Sequence, residues 1–119
     1  MWQGGDMNLK SFGAKKVETI TGVKRTRLQQ WMDKKYFQPS INIASGPGTR
    51  NLYSLYDIYR ITAFKHIVDS GLSRDKAAQI VNLWDISGND SFITFSLSDI
   101  VSVSVNISKL IKVAGGFEV

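Results

Sequence analysis

An α+β fold, mainly helical, is what this sequence predicts, on three observations. Apolar residues recur at helical spacing along stretches between Ala14 and Trp84. A turn rich in glycine and proline, Ala44-Ser45-Gly46-Pro47-Gly48-Thr49, separates Ile41-Asn42-Ile43 from Asn51-Leu52-Tyr53, which reads as a small hairpin. Beyond Ser87-Gly88-Asn89-Asp90 the pattern changes to strict alternation, rich in β-branched residues.

The first helix is expected over Ala14 to Ile20, with Ala14, Val17 and Ile20 on one face. Gly22 ends it and permits a left-handed turn. The second helix runs from about Lys24 to Lys34. Val23, Leu28, Trp31 and Met32 form its apolar stripe, while Arg25, Arg27, Gln29 and Gln30 point elsewhere. Pro39 bars its simple continuation.

After the hairpin, Ser54 caps a third helix whose inward face is Leu55, Ile58, Ile61, Phe64 and Val68, and Asp57 complements the dipole in its first turn. Ser70-Gly71 stops it. Ser73 caps a fourth helix, with Ala77, Ile80, Val81 and Trp84 facing inward. In the tail, Phe92–Leu97 and Val101–Ile107 read as strands, and Leu110-Ile111-Val113 as a last helical turn. The expected domains are residues 8–87 and a β-rich appendage at 91–119.

Composition narrows the function. The chain has 119 residues and 43% hydrophobic content, enough for a packed core. It has no cysteine, so disulfides and thiolate metal sites are excluded, and the single histidine, His66, disfavours an imidazole metal site. No apolar run approaches the roughly 20 residues that span a bilayer, and the start lacks the layout of a secretory signal. A cytoplasmic protein with no membrane partner and no cofactor is therefore expected. Catalysis is not expected either, because no nucleophile–base pair or paired carboxylates stand out.

Charge is unevenly placed. Lys10 to Arg50 hold nine cations against two anions, +7; the rest holds six against eight, −2, which returns the net +5. A basic half joined to a mildly acidic one is the electrostatic footprint of a nucleic-acid binder.

The order of parts agrees with that footprint. Thr21-Gly22-Val23 is a tight turn followed at once by a basic, polar helix, and a hairpin of wing size comes after it. This is a winged helix-turn-helix of four helices and a two-stranded wing, with a small C-terminal β-hairpin appendage. Lys24, Arg25, Thr26, Arg27 and Gln30 are the candidate major-groove residues, since arginine suits guanine O6/N7 and glutamine suits adenine N6/N7. Lys15, near the start of the first helix, is a candidate phosphate contact. Trp31, Phe37, Phe64 and Trp84 fall on apolar stripes and read as core.

Several short motifs in this order resemble the MerR-type (mercury-resistance regulator) winged-helix family over about residues 11–85. They are Val17-(x)3-Thr21-Gly22-Val23, Leu28-Gln29-Gln30-Trp31, Tyr36-Phe37-Gln38-Pro39, Gly48-Thr49-Arg50-Asn51-Leu52-Tyr53-Ser54, Asp57-Ile58 and Gly71-Leu72-Ser73. The resemblance implies a sequence-specific regulator of transcription that binds double-stranded DNA. It further implies that Arg50 contacts backbone or minor groove and that Tyr53 contacts a phosphate, packing on the third helix being the alternative for Tyr53. The chain departs from the family at Gln29-Gln30, where Arg-Tyr is usual, and at Lys35, where glycine is usual. The strand-like tail replaces the family's long dimerising helix. A homodimer is expected because one short module reads few base pairs. The other readings are an excisionase-like or phage architectural DNA-binding protein, and a protein-interaction adaptor.

Overall fold

The computed structural model describes residues 11–41, 51–83 and 92–115, with side chains described through Lys112. Helix α1 (Ala14–Thr21) is followed by α2 (Arg25–Asp33), α3 (Leu55–Asp69) and α4 (Arg74–Leu83). Strands β1 (Phe92–Ser96) and β2 (Ser102–Asn106) and helix α5 (Ile107–Gly115) complete the chain.

Gly22 ends α1 at φ 78°, and its N–H donates to the Glu18 carbonyl. Thr21 tightens the turn from both sides: its hydroxyl donates to the Val17 carbonyl at 2.8 Å and accepts from Val23 N–H at 3.1 Å. Val17, Val23 and Leu28 are buried, so the turn holds α1 and α2 against one core. The exit of α2 is a Schellman motif, in which Lys35 N–H donates to the Met32 carbonyl and Tyr36 N–H to that of Trp31. Lys35 takes φ 61° there, the conformation that favours the glycine usual at this place, at a cost of about 1–2 kcal/mol.

Helix α3 is the hub, with α1, α4 and α5 all packed on it. Its one-face expectation is too narrow. Tyr59, Thr62, Ala63 and Ile67 are buried along with Ile58, Ile61 and Phe64, because neighbours cover α3 on several sides. Its start is a full capping box: the Ser54 hydroxyl accepts from Asp57 N–H at 3.1 Å, and Asp57 Oδ2 accepts from Ser54 N–H at 2.8 Å. Ser73 likewise accepts from Lys76 N–H at the start of α4.

Of the wing, the base is described. Ile41 N–H donates to the Leu52 carbonyl at 3.3 Å. Tyr53 forms an isolated antiparallel bridge with Phe12, through bonds of 2.8 and 2.9 Å, so the segment before α1 pairs with the chain at the wing base. Residues 42–50, with Arg50, lie outside the described residues, as do Trp84 and the Ser87–Asp90 boundary.

The tail is a hairpin and a helix. Ile93 pairs with Val105 and Phe95 with Val103, which places the four on one half-buried face. Ile107, expected as the end of a strand, instead opens α5. The physical reason is Asn106, whose side-chain carbonyl accepts from Lys109 N–H at 3.0 Å and caps the helix. The last helical turn expected around Leu110 is thus part of a nine-residue helix, and Ile107 and Leu110 are buried in the main core.

Candidate nucleic-acid interface

Helix α2 turns Leu28, Trp31 and Met32 inward. A step of about 100° per residue then puts Thr26 and Gln30 at the middle of its outward face, with Arg25 and Arg27 on opposite flanks, roughly 160° apart. All four are exposed. The two arginines therefore do not share a face; they border a narrow polar strip.

Each flank has its own neighbours. Arg25 Nε donates to Glu18 Oε1 of α1 at 3.0 Å, on the surface, with 60% of its side chain exposed. Such an exposed pair is worth roughly 1 kcal/mol or less, so Glu18 aims the guanidinium without neutralising it deep in the protein. Arg27 lies over the Trp31 ring, 5.3 Å from its centroid, a cation–π contact that orients it the other way. Gln29 is occupied by Asp33, to which its amide donates at 2.9 Å.

Lys24 is the N-cap of α2 and is exposed; its side chain offers no acceptor to the helix. The first-turn N–H groups consequently point out uncapped, an end that favours anions. Lys15 is exposed on α1.

Two cations missed by sequence reasoning complete this surface. Arg27, Gln30 and Lys34 of the α2 face share a concavity with Arg74, the first residue of α4, floored by Trp31 and Tyr36. Among the described residues no carboxylate lines it. Arg74 was invisible as a partner because some 40 residues separate it from α2. A link that places it there is Asn82 of α4, whose amide donates to the Tyr36 carbonyl at 2.6 Å.

Tyr53 is placed differently from the phosphate role the resemblance implied. Its ring is 1% exposed, in the core beside the start of α3, as the packing alternative has it. Burial, aided by the nearby Asp57 carboxylate, raises the phenol above its ordinary value of 10, while a hydrogen bond with Asn51 works against that. Tyr53 therefore holds the wing base and presents no exposed hydroxyl. Trp31, Phe37 and Phe64 are core, as expected.

Among the described residues no group of three or more metal-ligating side chains is gathered, and no helix is long and apolar enough to cross a membrane. Turn, exposed polar helix and wing base together define a helix-turn-helix protein with a basic outer surface.

Comparison with known proteins makes the assignment specific. The model of the MerR HTH family of regulatory proteins matches residues 13–83, and the chain belongs to that family. Over 54 residues it is 35% identical to an uncharacterized HTH-type transcriptional regulator of Mycobacterium bovis, and to the same degree to two such regulators of Mycobacterium tuberculosis. Each match covers 45% of this chain and 24% of the relative, so the chain spans about a quarter of the length of these curated relatives.

Proposed function

We propose that this protein binds double-stranded DNA in a sequence-specific way and regulates transcription, with residues 8–87 as the DNA-binding domain. The observation that carries the reading is the layout of α2. A polar strip, Thr26 and Gln30, is bordered by a cation on each side and ends in uncapped amides. In a major groove that layout puts hydrogen-bonding side chains over base edges and gives each phosphate wall an arginine. Lys15, Lys24, Lys34, Arg50 and Arg74 add backbone contacts. The protein acts as a homodimer in the cytoplasm, so its operator has two-fold symmetry.

Selection from randomised duplexes tests the core of this, and a palindromic motif is the expected result. An enriched pool no tighter than the starting pool would favour an adaptor with an acidic protein partner. On the selected site, Gln30→Ala relaxes the preference at one base pair and costs about 1–3 kcal/mol where a bidentate contact is lost. Arg25→Ala and Arg27→Ala, as flanking cations, weaken all sequences alike and each lower the salt slope by about 1. Gel-shift titration reads both effects, and unchanged binding in all three variants rules out α2 as the recognition helix.

Salt dependence is a separate check. With about five phosphates neutralised, log K falls against log salt with a slope near −4 to −5. A slope near zero would leave the basic surface without a role in binding.

A further inference from the structure

Between the second half of α3, strand β2 and α5 lies an open cavity of about 430 Å³. Ala63 and Ile67 of α3, Val105 of β2 and Leu110 of α5 give it apolar walls. The hydrogen-bonding groups beside them are largely engaged within the protein. Asn106 caps α5, the Ser104 and Thr94 hydroxyls bond each other at 2.8 Å, and the Ser70 hydroxyl donates to the His66 carbonyl. Two polar heads remain at the rim, the His66 imidazole and the Lys109 ammonium. Among the described residues neither forms an ion pair and no carboxylate lines the cavity.

We propose that this seam between α3 and the C-terminal tail binds a small amphipathic anion, an aliphatic or aromatic carboxylate whose apolar body lies on Val105, Ile67 and Leu110 and whose carboxylate meets Lys109. The volume is at the lower end of ligand pockets, which run from roughly 300 to 1,000 Å³, and the mix of apolar walls with few polar groups is typical of them. Charge complementarity selects the head group, because a carboxylate can pair with the exposed Lys109 ammonium, a cation is repelled by it, and a neutral head gains no charge-assisted bond. The site is separate from the α2 surface, and the proposal stands whether or not the DNA-binding reading does.

Decanoate is a suitable probe, with decanol as its neutral counterpart, titrated calorimetrically into the full chain without DNA. Expected is saturable binding of one decanoate per chain, a few-fold tighter than decanol, as a pair with an exposed ammonium allows. Lys109→Glu, which replaces the attraction with repulsion at an exposed position, is expected to weaken decanoate about fivefold to tenfold and to leave decanol unchanged. Val105→Phe, at a half-buried strand position that tolerates aromatics, fills the cavity and abolishes both. The Lys109 variant lies on an exposed helix position and keeps the test decisive if Val105→Phe does not fold. Absent saturation, equal binding of the two probes, or binding indifferent to Lys109→Glu overturns the proposal. Sedimentation under the same conditions covers the other occupant: a dimer that decanoate dissociates would make the seam an interface between copies, and the proposal would fall.

Discussion

Phe64→Ala is expected to remove about 3–5 kcal/mol of stability, out of a total that for a domain of this size is roughly 5–15 kcal/mol. Phe64 is fully buried in the middle of α3. Its ring meets Trp31 at 4.6 Å between centroids, Phe37 at 5.2 Å and Tyr36 at 5.5 Å, the first two edge-on. Truncation removes the transfer term of a phenyl ring and also leaves a void into which the three remaining aromatics, Trp31, Tyr36 and Phe37, cannot readily collapse. The same ring sits under the C-terminal turn of α2, so the orientation of the DNA-facing strip depends on it. Urea unfolding reads the effect as a lower midpoint at unchanged slope. Phe64→Leu, which keeps most of the volume, is expected to cost about 1.5 kcal/mol or less. A loss below about 1 kcal/mol for the alanine variant would mean that the cluster relaxes, against the packing described.

Much of this architecture was legible in the chain. The four helices of the first 83 residues and both tail strands follow from periodicity and stop signals, because each boundary is made by a local chemistry: Gly22, Ser54 with Asp57, Ser70-Gly71 and Ser73. What sequence reasoning missed depends on distant partners or on competition between neighbours. Alternation carried the second strand through Ile107, but the Asn106 cap starts a helix there, and a cap outweighs one more alternating residue. A single inward face for α3 missed Ala63 and Ile67, whose partners on α5 come some 40 residues later. Tyr53 resembled a phosphate contact by its position in a motif, yet its pairing with Phe12, outside that motif, turns it into core. Arg25 and Arg27 were right as exposed cations, but only the inward direction of Leu28, Trp31 and Met32 reveals that they flank the strip from opposite sides. Arg74 had no local signal at all.

The second large effect is expected at Asp57, which the sequence presented as a first-turn carboxylate and the structure makes a junction. It is 4% exposed. Its Oδ2 accepts from Ser40 N–H at 2.8 Å, from the Ser40 hydroxyl at 2.9 Å and from Ser54 N–H at 2.8 Å, and Arg60 Nη1 approaches Oδ1 at 3.5 Å. One side chain thus joins the start of α3 to the segment that leads into the wing. Asp57→Ala takes the acceptor from the buried Ser54 N–H and the part-buried Ser40 N–H, while the Ser40 hydroxyl keeps Ser54 Oγ at 2.9 Å; each unmet donor costs about 1–3 kcal/mol, so a loss of about 2–4 kcal/mol is expected. Arg60 is half-exposed and keeps its bond to the Val81 carbonyl, so its loss of a partner adds little. Asp57→Asn retains one acceptor oxygen for the Ser40 and Ser54 donors and is expected to cost about 1–3 kcal/mol, the worth of hydrogen bonds to a charged acceptor. If Ser40 and Asp57 act as one unit, Ser40→Ala combined with Asp57→Asn costs less than the sum of the two, by about 0.5 kcal/mol or more, in a double-mutant cycle from denaturant unfolding. Strict additivity would mean that the Ser40 hydroxyl has no part in the junction, which would then rest on the Ser40 N–H bond that Ser40→Ala keeps.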